Sequence, residues 1–80
     1  MRLDKYLKVS RIIKRRTIAK EVCECGRVSI NGKVAKPSTE ISEGDIIEIQ
    51  YASKSLKARI LKVAEHVTKE NVSSMYEIIS

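Results

Sequence analysis

The stretch RVSINGKVA, residues 27–35, constrains this chain more than any other. Asn31-Gly32 supplies two consecutive positive φ angles, the geometry that lets a two-residue turn follow the twist of paired strands. The alternation on either side predicts a hairpin between 28–30 and 33–35. Gly26 stands just ahead of it as a left-handed helix stop, so whatever precedes the hairpin must end there. The apolar residues upstream recur at helical spacing. Leu3, Tyr6 and Leu7 predict a helix over 3–11, and Ile18, Ala19, Val22 and Cys23 a second over 16–25, with 12–15 as the joint. Thr17 is the cap candidate of the second helix, although Lys20 stands where a capping box needs an acid.

Downstream, Pro37 ends the hairpin and SEGD at 42–45 makes another turn. IIEIQY at 46–51 alternates as a half-buried strand, and LKARILKVA at 56–64 is expected to pair antiparallel with it. One helical turn from Thr68 then precedes a last strand in MYEII. The order implies an α+β fold, with two short N-terminal helices packed on a small antiparallel sheet. A chain of 80 residues buries only about 60% of its extended surface, which leaves room for one domain over 1–80.

Charge is divided unevenly along this fold. Residues 1–36 hold eleven Lys/Arg against Asp4, Glu21 and Glu24, whereas 37–80 hold five against seven carboxylates. The helical half is therefore the candidate contact surface, and its field suits a polyanion through steering and counterion release. No apolar run approaches the roughly 18–20 residues of a membrane span, and charge enters every turn of the N-terminus, so the cytoplasm is the expected location and no membrane partner is expected. Cys23 and Cys25 are too close for an ordinary disulfide and lack the spacing of a zinc knuckle, with only His66 to join them. They read as reduced structural thiols.

Catalysis has little to use. A lone His66, no phosphate-cradling glycine loop and no apolar-flanked carboxylate pair imply a protein that is not an enzyme and holds no cofactor or metal. The aromatic set is Tyr6, Tyr51 and Tyr76, with no Phe or Trp, which argues against base stacking on a sheet. Tyr6 reads as helix packing, Tyr51 and Tyr76 as closing the sheet edge. What remains is recognition of a nucleic-acid backbone by cations on a helical frame. Arg15 and Arg16 stand at a helix start, where free N–H groups and the dipole also favour an anion. Arg2, Lys5, Arg11, Lys20 and Arg27 belong to the same half. Asp4 either orients an arginine or complements the helix dipole.

These residues also carry a family likeness. RLDKYL at 2–7, RRTIAKEV at 15–22, GRVSINGK at 26–33, KPS at 36–38 and EGDIIEI at 43–49 together resemble the alpha-L RNA-binding domain named from small-subunit ribosomal protein four. The match covers a core motif over 2–49, leaving C-terminal strands over 50–80. Nearly the whole chain is similar to the RqcP family of bacterial ribosome quality control factors. That resemblance implies a factor that binds large ribosomal subunits carrying stalled peptidyl-tRNA and contacts ribosomal RNA and tRNA. It also implies support of alanine tailing with the RqcH factor. Carried onto this sequence, it assigns Arg2, Asp4 and Arg16 to the RNA face, with Arg11, Lys14, Arg15 and Lys20 as neighbouring contacts. The chain is expected to be a monomer.

Other readings compete. A heat-shock-type factor of ribosome recycling or assembly would share the fold and the charge. A DNA-binding regulator would need base-reading side chains, yet the second helix runs straight into Gly26 and offers few Asn or Gln. A membrane-surface helix would need wider apolar stripes than a core-facing helix can spare.

Overall fold

The computed structural model describes residues 1–51 and 54–79. Helices α1 (Leu3–Val9) and α2 (Arg16–Glu24) precede strands β1 (Val28–Ile30), β2 (Lys33–Val34), β3 (Ile46–Tyr51) and β4 (Lys54–Ile60). A 3-10 turn (Val72–Ser74) leads into β5 (Tyr76–Ile78). All pairings are antiparallel in the order β2-β1-β3-β4-β5. The expected α+β arrangement of two helices on a small antiparallel sheet is thus found.

The turn that anchors the topology behaves as its sequence demands, with φ of 51° at Asn31 and 85° at Gly32. Asn31 does more than turn the chain. Its amide Nδ2 donates to Asp45 at 3.1 Å and its Oδ1 accepts from the Ile46 N–H at 3.0 Å, which ties the hairpin to the start of β3. β2 stops at Val34, one residue short of the expected 35, although the Ala35 N–H still donates to the Val28 carbonyl at 2.9 Å.

β4 is shifted from the expected 56–64 to Lys54–Ile60. Its register against β3 runs from Ile46↔Arg59 to Tyr51↔Lys54, and the Ile60 N–H then donates to the Asp45 carbonyl. Beyond it, the N–H groups of Leu61 and Lys62 turn to the Met75 carbonyl, so the alternation through 61–64 marks chain leaving the sheet. The turn from Thr68 is present, where the Asn71 N–H donates to the Thr68 carbonyl.

The core lies between one sheet face and the two helices. Val28, Ile47, Ile49 and Ile60 meet Leu3, Tyr6, Leu7, Ile13, Ala19 and Cys23, with Met75 closing the end. Each large aliphatic side chain buried there contributes about 1.5–3 kcal/mol. Tyr6 packs as expected, fully buried, its hydroxyl donating to the Met75 carbonyl at 2.8 Å. Tyr76 packs its half-buried side chain against the core from the edge strand, while the side chain of Tyr51 falls outside the described residues.

Both helices end differently from expectation. α1 stops at Val9 rather than 11, because Arg11 adopts a left-handed φ of 62° and its N–H turns back to the Lys8 carbonyl. The Leu7 carbonyl takes the Ile13 N–H and the hydroxyl of buried Ser10, and that closes the helix. α2 has no side-chain cap: Arg15 occupies the cap position in extended conformation and Thr17 lies inside the helix. Its C-terminus is a Schellman motif, with Gly26 at φ 73° donating to the Cys23 carbonyl and Arg27 to that of Val22. Ile18, expected in the apolar stripe, is 41% exposed, since only Ala19 and Cys23 of α2 become buried.

Candidate nucleic-acid interface

The first turn of α1 is built around a buried carboxylate. Asp4 is 2% exposed, and its Oδ1 accepts the Lys5 N–H at 2.8 Å. The N–H groups ahead of it are taken by the loop after β2: Leu3 donates to the Thr39 carbonyl at 2.9 Å and Asp4 to that of Pro37 at 3.1 Å. The helix start is therefore filled by the protein itself. The remaining lone pairs of Asp4 face two arginines. Arg2 grips it through Nε at 3.2 Å and Nη2 at 3.3 Å, and Arg16 Nε lies 3.7 Å from Oδ2.

The Asp4 carboxylate joins the first residues of α1 to the first residue of α2, and the side chains of Arg2 and Arg16 remain 50% and 48% exposed. Each guanidinium keeps donors free on its solvent side, since five N–H bonds exceed what one carboxylate can accept. A guanidinium held this way loses less rotamer entropy when it grips a phosphate than one waving freely. The same charge reaches the core: the Cys23 thiol is pushed up to about 11, first by burial, then by the carboxylates of Asp4 and Glu24.

Two concavities flank this cluster. The first, about 520 Å³, is lined by Lys5, Lys8, Arg11, Lys14 and Arg16, and its far wall is Glu65, His66 and Val67 from the segment after β4. The left-handed φ of Arg11 matters here, because it turns the chain out of α1 so that Arg11 and Lys14 face the same groove as Lys5 and Lys8. The second, about 490 Å³, includes Arg2, Lys20 and Lys36 around Cys23, Val34 and Pro37. Arg16 opens on the first and Arg2 on the second, with Asp4 tying the two together.

The residues assigned from sequence divide accordingly. Arg11, Lys14 and Arg16 meet in the first groove, Arg2 and Lys20 in the second, and Asp4 sits beneath both arginines. Lys20 also lies 3.9 Å from Glu24 one turn along α2. Arg15 lines neither groove and is exposed at the α2 cap. Lys8 is a groove residue that the family likeness did not assign, although helical spacing sets it on the polar side of α1. The wall of 65–67 had no local signal at all, because it reaches the groove from the far end of the chain.

Helices presenting cations beside a buried organising carboxylate, on an antiparallel sheet, define a small polyanion-binding module, and residues 1–47 match the S4 domain. The RQC P-site tRNA stabilizing factor of Streptococcus pneumoniae is 54% identical over 80 residues, covering 100% of this chain and 91% of that one. The Bacillus subtilis factor of the same name is 46% identical over 79 residues, covering 99% and 92%. The trimeric Heat Shock Protein 15 of Vibrio cholerae superposes with a TM-score of 0.90 at 28% identity, over 100% of this chain and 82% of that one. The chain belongs to the family of S4-domain proteins named RQC P-site tRNA stabilizing factors.

Proposed function

We propose that this protein is a non-catalytic RNA-binding factor of bacterial ribosome quality control. It acts as a single-domain cytoplasmic monomer on large ribosomal subunits that carry a stalled peptidyl-tRNA. Its helical face contacts ribosomal RNA and tRNA, and it supports alanine tailing of the nascent chain with the RqcH factor. The observation that carries the reading is the buried Asp4 holding Arg2 and Arg16 half-exposed beside a groove of further cations. Curated relatives with the printed name of a P-site tRNA stabilizing factor support the tRNA-bound setting.

The chemistry is that of phosphate gripping without base readout. Arg2 and Arg16 supply oriented forks for phosphate oxygens, while Lys8, Arg11 and Lys14 add point charge along the groove. Asp4, being buried, contributes by orienting the arginines and not by touching RNA. About five neutralised phosphates at a duplex slope of about −0.9 each would cost several-hundred-fold in affinity between 50 and 200 mM salt. Membranes play no part in this reading, and no helix among the described residues is long and apolar enough to cross one.

Sedimentation of tagged protein through low-salt gradients tests the setting. It should travel with large subunits bearing nascent chains, and confinement to the top of the gradient would refute the proposal. The structural likeness to Heat Shock Protein 15 favours a second reading, ribosome recycling or assembly. Deletion separates the two, since loss of alanine tails is expected only from the first.

A further inference from the structure

One group in the first groove works against its charge. Glu65 reaches it from the segment after β4, and its carboxylate accepts a hydrogen bond from the Lys5 ammonium, 60 positions away in sequence. The contact is held from both sides: Val63 and Val67 pack on the hydrophobic core, and Glu65 and His66 stand exposed between them. Among the described residues, Lys8, Arg11 and Lys14 form no ion pair, so Lys5 is the cation in this groove whose charge is answered from the opposite wall. The hydrogen bond from Lys5, and then its charge, holds the Glu65 carboxyl below the usual carboxylate range. An exposed pair of this kind adds little to stability. Its consequence is for what enters the groove.

We propose that Glu65 is an internal counter-ion, which occupies the RNA groove of the free protein and is displaced from Lys5 when an RNA phosphate binds there. The inference rests on the RNA-binding reading above and adds a regulator to the same site. At Lys5 one anion is exchanged for another, and the freed Glu65 carboxylate takes up a cation as the phosphate gives one up, so binding there releases no net salt cation. Affinity is thereby moderated, and departure is assisted by a carboxylate ready to return.

Glu65→Gln tests this, with affinity for a hairpin fragment of large-subunit ribosomal RNA measured by fluorescence anisotropy at 50 and 200 mM salt. The variant should bind more tightly, with a salt slope steeper by about 0.9, the share of one phosphate, so the gain at 50 mM exceeds that at 200 mM about 3.5-fold. Its thermal midpoint should stay within about 4 °C of the parent, as for any exposed ion pair. Unchanged affinity and slope would overturn the proposal, and so would weaker binding, which would make the carboxylate a reader of the RNA. The double variant Lys8→Ala/Arg11→Ala separates the two levels. If it binds weakly while Glu65→Gln is silent, the counter-ion is refuted and the RNA groove stands; if both are silent, RNA binds elsewhere and both readings fall.

Discussion

Replacing Asp4 by Asn sets two physical arguments against each other. By charge alone the change should tighten RNA binding, since it removes an anion from the contact face. At about 8 Å in a water-like dielectric that gain is only about 0.5 kcal/mol. By geometry it should weaken binding, because Arg2 at 3.2 Å and Arg16 at 3.7 Å lose the carboxylate that orders them. Immobilising each arginine afresh costs about 0.5–1.5 kcal/mol, or about 2 kcal/mol for the pair. Orientation therefore wins by about 1.5 kcal/mol, and Asp4→Asn should bind roughly tenfold more weakly despite its higher net charge. Anisotropy titration against a ribosomal RNA hairpin measures it, with Arg2→Ala/Arg16→Ala as the second arm of a double-mutant cycle. In that background Asp4→Asn should no longer weaken binding. Equal or tighter binding by Asp4→Asn in the parent would refute the orienting role. The substitution should also cost about 1–2 kcal/mol of stability, since a charge-assisted hydrogen bond is lost at a buried acceptor but its arginine partners are half in water.

Arg16→Ala, a half-exposed truncation, should leave the fold intact while lowering association with large subunits and shortening alanine tails; normal tailing at normal abundance would remove Arg16 from the site. Tyr6→Phe should cost only about 1 kcal/mol, because the Met75 carbonyl it leaves still accepts from Leu61 and Lys62. Burial, and then Tyr76, raises the Tyr6 phenol above its usual range. Its contribution is therefore full below about pH 10 and lost as pH climbs through the folded-state value, so Tyr6→Phe should flatten the alkaline limb of a stability–pH curve. Cys23, raised to about 11, adds a loss between about pH 9 and its folded value, and a disulfide reagent should label exposed Cys25 rapidly and Cys23 only on unfolding.

Local chemistry was legible wherever neighbours in sequence decide the outcome. Asn31-Gly32 turns as its steric freedom requires, Gly26 stops α2, and Leu3, Tyr6 and Leu7 form a buried face because helical spacing stacks them. Errors fell at ends, where tertiary partners choose. Nothing adjacent to Arg11 marks it for a left-handed conformation, and nothing in LKARILKVA says that Leu61 and Lys62 will bond to Met75 in place of β3. Ile18 matched the apolar period, but α2 buries only Ala19 and Cys23 against the core.

The candidate site divides along the same line. Its cations were readable as a charge asymmetry, and Arg2, Arg11, Lys14, Arg16 and Lys20 do gather around two grooves. That Asp4 meets Arg16 was not, because this depends on α2 bringing Arg16 within 3.7 Å of a carboxylate on α1. Sequence by itself determined the hairpin, the helical pair, the sign of the surface and the family, since each follows from residue type and short spacing. The tertiary structure alone decided which cations share a groove, which arginines are held, and that Glu65 faces Lys5 from 60 positions away. Contacts between distant residues depend on how the whole chain closes on its core, and no local pattern encodes that closure.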